Sequence, residues 1–281
     1  MPELPEVETV CRTIRSVVLN KQIASCQVNY PRLLPKNDLD QFVRDIQGRV
    51  IVDLKRRGKY IIFDLDSDLQ LIVHLRMTGQ LLFCPDSNES VTKHTSAILY
   101  FTDGSQLRFV DQRKFGTFYL LRPEQWHRVT GLHTLGVEPL AKEFTVEKLK
   151  ELVKRPRNIK SLLLDQKCIA GLGNIYVDES LFRTGIHPQR QANSLTDTEI
   201  TKLHVNIIQV LQEAIASQGT TIKDYRTGSG DTGYFQNKLL VYGKAGEPCV
   251  NCNQIIEKIR VAGRGTHYCP NCQRWDQECE A

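Results

Sequence analysis

The 281-residue sequence has no apolar run near the ~20 residues that cross a bilayer. Its first ten residues, MPELPEVETV, have neither the basic start nor the apolar stretch of a secretory signal. Membrane insertion and export are set aside, and a cytoplasmic location is expected. No internal repeat is visible, which argues against a solenoid or propeller. Neither sign of charge dominates: 37 Lys and Arg face 32 Asp and Glu, for a net charge of +5. That mild excess names no partner by itself. What is present fits a packed globular chain, with 41% hydrophobic and 25% charged residues, 18 Gly and 11 Pro. Disordered, collagen-like and coiled-coil classes are excluded on those figures. At this length one hydrophobic core stops growing, so two or three domains are expected. Nine cysteines would suggest a disulfide scaffold only in a much shorter chain. Four of them cluster near the C-terminus with metal-ligand spacing, which favours a reducing compartment and one zinc site.

The pattern along the chain changes period. Leu4, Val7, Val10, Ile14 and Val17 step by three and four behind Pro5, so the chain opens on an amphipathic helix. Short runs at 49–54, 60–65, 70–75, 80–83, 97–101, 106–110 and 117–121, divided by Asp, Ser, Asn and Gly, predict a β-sandwich or barrel. Beyond Pro123 the spacing turns helical over 144–153, 160–168, 174–182 and 196–216, the last opening on the capping box Thr196-x-x-Glu199. Residues 227–233, rich in Gly, Ser, Thr and Asp, read as a mobile loop leading to a small cysteine-bearing module.

Cys249-x-x-Cys252 and Cys269-x-x-Cys272, sixteen residues apart, let two tight turns offer four thiolates to one tetrahedral ion. The four sulfurs complete the shell, so His267 is not needed as a ligand. No position is left for water, and such a zinc holds structure rather than doing chemistry. Between the pairs, Ile255, Ile256, Ile259 and Val261 lead to Gly263-Arg264-Gly265-Thr266, a β-hairpin with a glycine-bounded tip from which Arg264 projects. On spacing alone Arg264 could equally be an ordinary exposed arginine in a turn.

The N-terminus carries a second candidate. A penultimate proline permits removal of Met1, leaving Pro2 as a free secondary amine. A terminal amine with a pKa near 8 is roughly one-tenth unprotonated at pH 7. It can attack a sugar aldehyde carbon to form an iminium. Glu3 is adjacent and Glu6 lies three residues on, although acids at a helix start also simply complement its dipole.

MPELPEVETV resembles the opening of the formamidopyrimidine-DNA glycosylase family. The resemblance implies that Pro2 is the nucleophile for base excision and strand cleavage, that Glu3 is an acid catalyst, and that Glu6 is a supporting acid. Leu4 favours this purine-repair branch over the related endonuclease VIII group, which typically begins PEGPE. Arg57-Gly58-Lys59-Tyr60 is similar to the family's phosphate-contacting lysine motif, so Lys59 takes that role; otherwise the cations would guard an edge strand. His74-Leu75-Arg76-Met77-Thr78-Gly79 resembles HLGMTG, with Arg76 where glycine is usual, and makes Met77 a wedge for the gap left by an everted base. Asp111-Gln112-Arg113-Lys114-Phe115-Gly116 resembles DxRRFG: Arg113 would face the orphaned cytosine and Phe115 would probe the duplex. His94 falls where the family has a DNA-contacting histidine.

The longest internal match runs from Lys160 through Gly171-Leu172-Gly173-Asn174. It is not a dinucleotide fingerprint, because Tyr176 takes the third glycine position. Two glycines with positive φ could bare N–H groups toward a phosphate at a helix start. The family's helix–two-turn–helix places phosphate contacts at Lys160 and Asn174, and Arg157 stands where further basic residues occur. Residues 220–235 match the segment that closes over an everted oxidised purine.

The resemblance spans Pro2 to Cys272. It implies a multidomain α+β chain: an N-terminal helix plus β-sandwich over 1–130, a helical helix–two-turn–helix domain with the lesion-capping loop over 131–239, and a C-terminal zinc β-hairpin over 240–275. One structural Zn2+, damaged double-stranded DNA as partner, a monomeric state, a bacterial-type cytoplasmic protein working at the nucleoid, and assistance to elimination from Lys59 and Arg264 are also implied. Three other readings compete: an endonuclease VIII-like enzyme for oxidised pyrimidines, a non-catalytic zinc DNA-binding protein, and an RNA-associated zinc ribbon.

Overall fold

The structure is a computed structural model that describes residues 1–86, 90–221 and 225–275. Part of the expected capping loop, at 222–224, and Cys279 lie outside the described residues. The chain divides into two compact units, Met1–Thr134 with Ile215–Gln236, and Leu135–Ala214 with Asn237–Ala281. Packing thus groups 215–236 with the sandwich and the cysteine module with the helices, a different division from the three consecutive segments expected.

In the first unit, helix α1 (Leu4–Val18) leads into β1 (Ile23–Val28) and α2 (Leu39–Ile46). Seven strands follow: β2 (Ile51–Arg57), β3 (Tyr60–Leu65), β4 (Gln70–His74), β5 (Gly79–Cys84), β6 (Thr95–Phe101), β7 (Gln106–Asp111) and β8 (Thr117–Leu121). With β1 they form two antiparallel four-stranded sheets, ordered β1-β6-β7-β5 and β2-β3-β4-β8. Phe63, Leu71, Val73 and Phe118 from one sheet share a core with Leu81, Leu99, Leu107 and Phe109 from the other. The Phe109 and Phe118 rings lie 4.9 Å apart across it. Leu4, Val7, Val10, Ile14 and Val18 of α1 are fully buried, so the inward stripe ends on Val18, not Val17.

The second unit holds α3 (Val146–Val153), α4 (Ile159–Leu164), α5 (Asn174–Thr184), most of α6 (Asp197–Ala216), and the hairpin β9 (Glu257–Val261) and β10 (Arg264–Tyr268). The starts of α3, α4 and α6 carry side-chain caps, whereas α5 opens on Gly173 without one. Thr145 accepts from Lys148 N–H, Asn158 from Ser161 N–H, and Thr196 and Glu199 bond reciprocally in the expected box. Helix α4 stops at Leu164, short of the expected 168, and the Gln166 side chain takes over the turn by accepting from Gly171 N–H and donating to the Leu172 carbonyl. Helix α5 ends on Gly185, whose φ of 81° is the left-handed cap that glycine adopts without strain.

Candidate nucleic-acid site and zinc module

The N-terminus is held by Glu6. One of its carboxylate oxygens accepts the Glu3 N–H at 2.8 Å and the other accepts the Thr220 N–H at 2.8 Å. Gly219 lies against that contact at φ +79°, and a Cβ there would come within 3.0 Å of Glu6 Oε1. The Tyr225 hydroxyl, 3.2 Å from the Gln218 carbonyl, closes the same corner. Burial, and then the charge of Glu6, push that phenol's pKa up. Pro2 and Glu3 are buried at the start of α1 beside an exposed Met1. Glu6 therefore organises the turn that presents Pro2 and Glu3, by accepting backbone hydrogen bonds on both of its oxygens.

The loop expected to be mobile is tied down where it is described. Gly228 N–H donates to Thr13 on α1, its carbonyl accepts from Phe83 N–H, and Thr227 N–H donates to the Asp231 carbonyl. Only glycine fits at 228, because a Cβ would meet Ile14 at 2.2 Å.

Lys59 is buried at the tight turn between β2 and β3, just after Gly58 at φ 56°. Arg56 braces that turn. Its Nε donates to Glu8 on α1 at 2.9 Å and its Nη1 to the Gly58 carbonyl at 3.0 Å. Burial alone would raise the Glu8 carboxyl, but hydrogen bonds and charge from Arg12 and Arg56 outweigh it and hold the pKa below its usual value. The pair links α1, which follows Pro2 and Glu3, to the turn that carries Lys59.

Met77 and the segment 112–115 depend on one buried carboxylate. Asp111 Oδ1 accepts from the Thr78 hydroxyl at 2.5 Å, and Oδ2 accepts from the Gly116 N–H at 2.7 Å. Arg113 N–H donates to the Thr78 hydroxyl at 3.0 Å, joining the two turns. The Asp111 N–H donates to the His94 carbonyl, which places half-buried His94 beside them. Met77 is 37% and Phe115 52% exposed, the Arg113 guanidinium lies 4.9 Å from the Phe115 ring centre, and Arg76 and Lys114 take positive φ. Two large apolar side chains and an arginine are thus held out to solvent on rigid turns. His74 stays neutral: burial first, then Arg76 and Lys59, depress its pKa, and its Nδ1 accepts from Arg76 N–H at 3.0 Å. Asp111 was visible in the sequence motif, yet its role as the anchor of both turns was not, because nothing local marks Thr78 as its partner.

In the second unit, Asn174 opens α5 and donates from Nδ2 to the Gly265 carbonyl at 2.8 Å. Of the two glycines before it, Gly171 alone has positive φ; Gly173 is an extended N-cap. Arg264 is exposed as the first residue of β10, opposite Val261, and the hairpin tip is Ala262-Gly263, both at positive φ. Arg264 therefore follows the tip rather than forming it. Lys160 requires a correction. It is fully buried and its Nζ lies 2.6 Å from Asp178, so the ammonium is an internal counter-ion, not a group offered to phosphate. Arg157 is also engaged, bonding Asp165 at 3.0 Å and the Ser161 carbonyl at 2.7 Å, so its guanidinium braces α4.

Cys249, Cys252, Cys269 and Cys272 bring their sulfurs within 4.8 Å of one another. Sulfurs on a tetrahedral zinc stand about 3.8 Å apart, given Zn–S bonds of about 2.3 Å. Observed separations of 3.5, 3.5 and 3.8 Å match that edge. Asn251 N–H and Cys272 N–H point at the Cys249 and Cys269 sulfurs, as suits thiolates carrying charge. Phe182 of α5 packs with Val241, Ile256, Cys249 and Cys269, so the cluster is built into the second unit's core.

The chain combines a helix-opened β-sandwich with a helical unit that carries a four-thiolate hairpin, the architecture of a zinc-hairpin multidomain protein. Comparison with known families refines it: residues 1–118 match the formamidopyrimidine-DNA glycosylase N-terminal domain, 135–226 the H2TH domain of the same proteins, and 246–274 the zinc finger found in FPG and IleRS. The chain is 49% identical over 275 residues to the formamidopyrimidine-DNA glycosylase of Shouchella clausii, covering 97% of this chain and 99% of that one. It is 46% identical to the Bacillus subtilis protein of that name, again covering 97% and 99%. Among solved structures, a Lactococcus lactis FPG mutant in complex with Fapy-dG DNA aligns with a TM-score of 0.91 at 40% identity, covering 98% of this chain and 100% of that one. MutM in complex with carbocyclic 8-oxo-G DNA aligns at 0.90 and 41%, with the same coverage. The chain belongs to the formamidopyrimidine-DNA glycosylase family. One structural zinc fits its four cysteines. Among the described residues no helix is long and apolar enough to cross a membrane.

Proposed function

We propose that this chain is a base-excision-repair glycosylase and abasic-site lyase that removes oxidised purines, 8-oxoguanine and formamidopyrimidines, from double-stranded DNA in the bacterial cytoplasm, acting as a monomer. The observation that carries the reading is the start of α1, where Pro2 and Glu3 are set by a carboxylate bonded on both oxygens. Lys59, Asn174 and Arg264 contact phosphates and position the duplex. Met77, Arg113 and Phe115 occupy the space an everted base vacates, with His94 at their side. Eversion costs a few kcal/mol, least at a damaged pair, and so contributes to selectivity.

With Met1 removed, the Pro2 nitrogen attacks C1′, the bond from C1′ to the base breaks, and the departing purine takes a proton supplied by Glu3. The sugar ring opens and an iminium joins Pro2 to C1′. It withdraws electrons from C2′, so loss of a C2′ proton expels the 3′ phosphate, and a second elimination expels the 5′ phosphate. Lys59 and Arg264 supply protons in these steps, and water releases Pro2. The zinc shell is closed by four thiolates and stabilises the hairpin that bears Arg264.

Matched duplexes carrying 8-oxoguanine opposite cytosine or thymine glycol test the substrate class. Excision at 8-oxoguanine should exceed that at thymine glycol by about tenfold or more, well within the roughly 10⁴-fold that a pocket's polar contacts can supply. The reverse order would assign the chain to oxidised pyrimidines.

A further inference from the structure

Helix α5 is buried on nearly every side, yet it carries two adjacent carboxylates. Glu179 is accounted for by the backbone N–H groups of Leu240, Val241 and Tyr242, at 2.9 to 3.1 Å. Asp178 is different. It has no exposed surface, its Oδ1 accepts from Lys160 Nζ at 2.6 Å, and its Oδ2 accepts from the His267 N–H at 2.9 Å. A fully buried ion pair gains little stability over apolar residues of the same volume, because both charges lose their water. Stability alone does not explain it.

Placement does. Asn174 and Asp178 sit one turn apart on α5, a rise of about 6 Å. Gly265 and His267 are alternate residues of β10, about 7 Å apart on one edge. Asn174 bonds the Gly265 carbonyl while Asp178 bonds the His267 N–H, so two hydrogen bonds of matching spacing fix the strand on the helix. A strand held at two points neither slides nor pivots, and Arg264 is the residue immediately before the first of them.

We propose that Asp178 is a positioning residue for the lyase reaction: with Lys160 as its counter-ion, it locks β10 onto α5 and thereby fixes Arg264 relative to Asn174. The proposal deepens the function above and rests on it. Lys160 then acts through Asp178, without touching DNA.

Two double variants separate the lock from the charges. Lys160→Gln with Asp178→Asn removes both charges and keeps an oxygen able to accept the His267 N–H. Lys160→Met with Asp178→Leu removes both charges and the acceptor. On abasic duplex, the amide pair should cleave within about threefold of the wild-type chain, and the apolar pair should lose about tenfold or more in kcat. The ratio of δ- to β-elimination product should fall in the apolar pair alone, a ratio that the fraction of folded protein does not alter. Zinc content and Tm should match between the two variants. Equal rates and product ratios in the two variants would overturn the proposal, as would a loss in the apolar pair that only follows lost zinc or a lower Tm. A wild-type chain that does not cleave abasic DNA would instead remove the lyase reading, before any variant is compared.

Discussion

Glu3→Gln is expected to abolish removal of 8-oxoguanine while leaving cleavage at a pre-formed abasic site largely intact. Base departure needs a proton delivered to a poor leaving group, and general acid catalysis by a placed carboxyl is worth about 10²- to 10⁴-fold. An abasic site has already lost its base, so Pro2 meets an aldehyde and needs no such help. Glutamine has the same shape, and the bond from the residue 3 backbone N–H to Glu6 persists, so the turn is kept. Parallel assays on the two duplexes check the split. Equal loss on both substrates would mean that Glu3 positions Pro2 rather than protonating the base.

Cys269→Ser should produce the largest structural effect. Binding of a structural zinc contributes on the order of 10 kcal/mol or more to a small module. The residues that Cys269 packs with, Phe182, Val241, Ile256 and Cys249, form only a small core. Without the ion, β9 and β10 lose their anchor, and with it the placement of Arg264. Zinc measured per chain should fall from one to near zero, and cleavage of abasic duplex should drop by about 100-fold or more, as expected when a positioned catalytic group is lost. The sandwich, which shares no residue with this core, should keep its own unfolding transition. Full activity in a zinc-free chain would contradict the assigned role of the hairpin.

Much of this architecture is legible in the residues themselves. Strands β2 to β8 announce themselves as short, largely apolar runs divided by turn residues, and α6 by its capping box. Strand β1 escapes. Ile23–Val28 mixes Ser, Cys and Gln into its pattern, whereas Leu39–Ile46 does carry helical spacing, with Leu39, Phe42, Val43 and Ile46 behind the Asp38 cap, and was legible. The four zinc ligands follow from spacing alone. Pro2 and Glu3 do not: their importance came from the resemblance of the opening motif, because acids at a helix start are common.

Long-range partners account for what the sequence hid. Asp111 serves Thr78, thirty-three residues away, and Asp178 serves His267, eighty-nine away. Lys160 misleads for the same reason: a lysine reads as a surface cation until the carboxylate facing it, here Asp178, is known. The apparent looseness of 227–233 was also misleading, since Gly228 is demanded by close packing on Ile14 rather than by mobility.

The most direct measurement is borohydride reduction of the Met1-processed chain on abasic duplex, followed by mass mapping of the cross-link. One covalent adduct is expected, carried by Pro2 at the amino end of the first peptide, and none when that amine is acetylated. An adduct on a lysine, or undiminished trapping by the acetylated chain, would contradict Pro2 as the nucleophile.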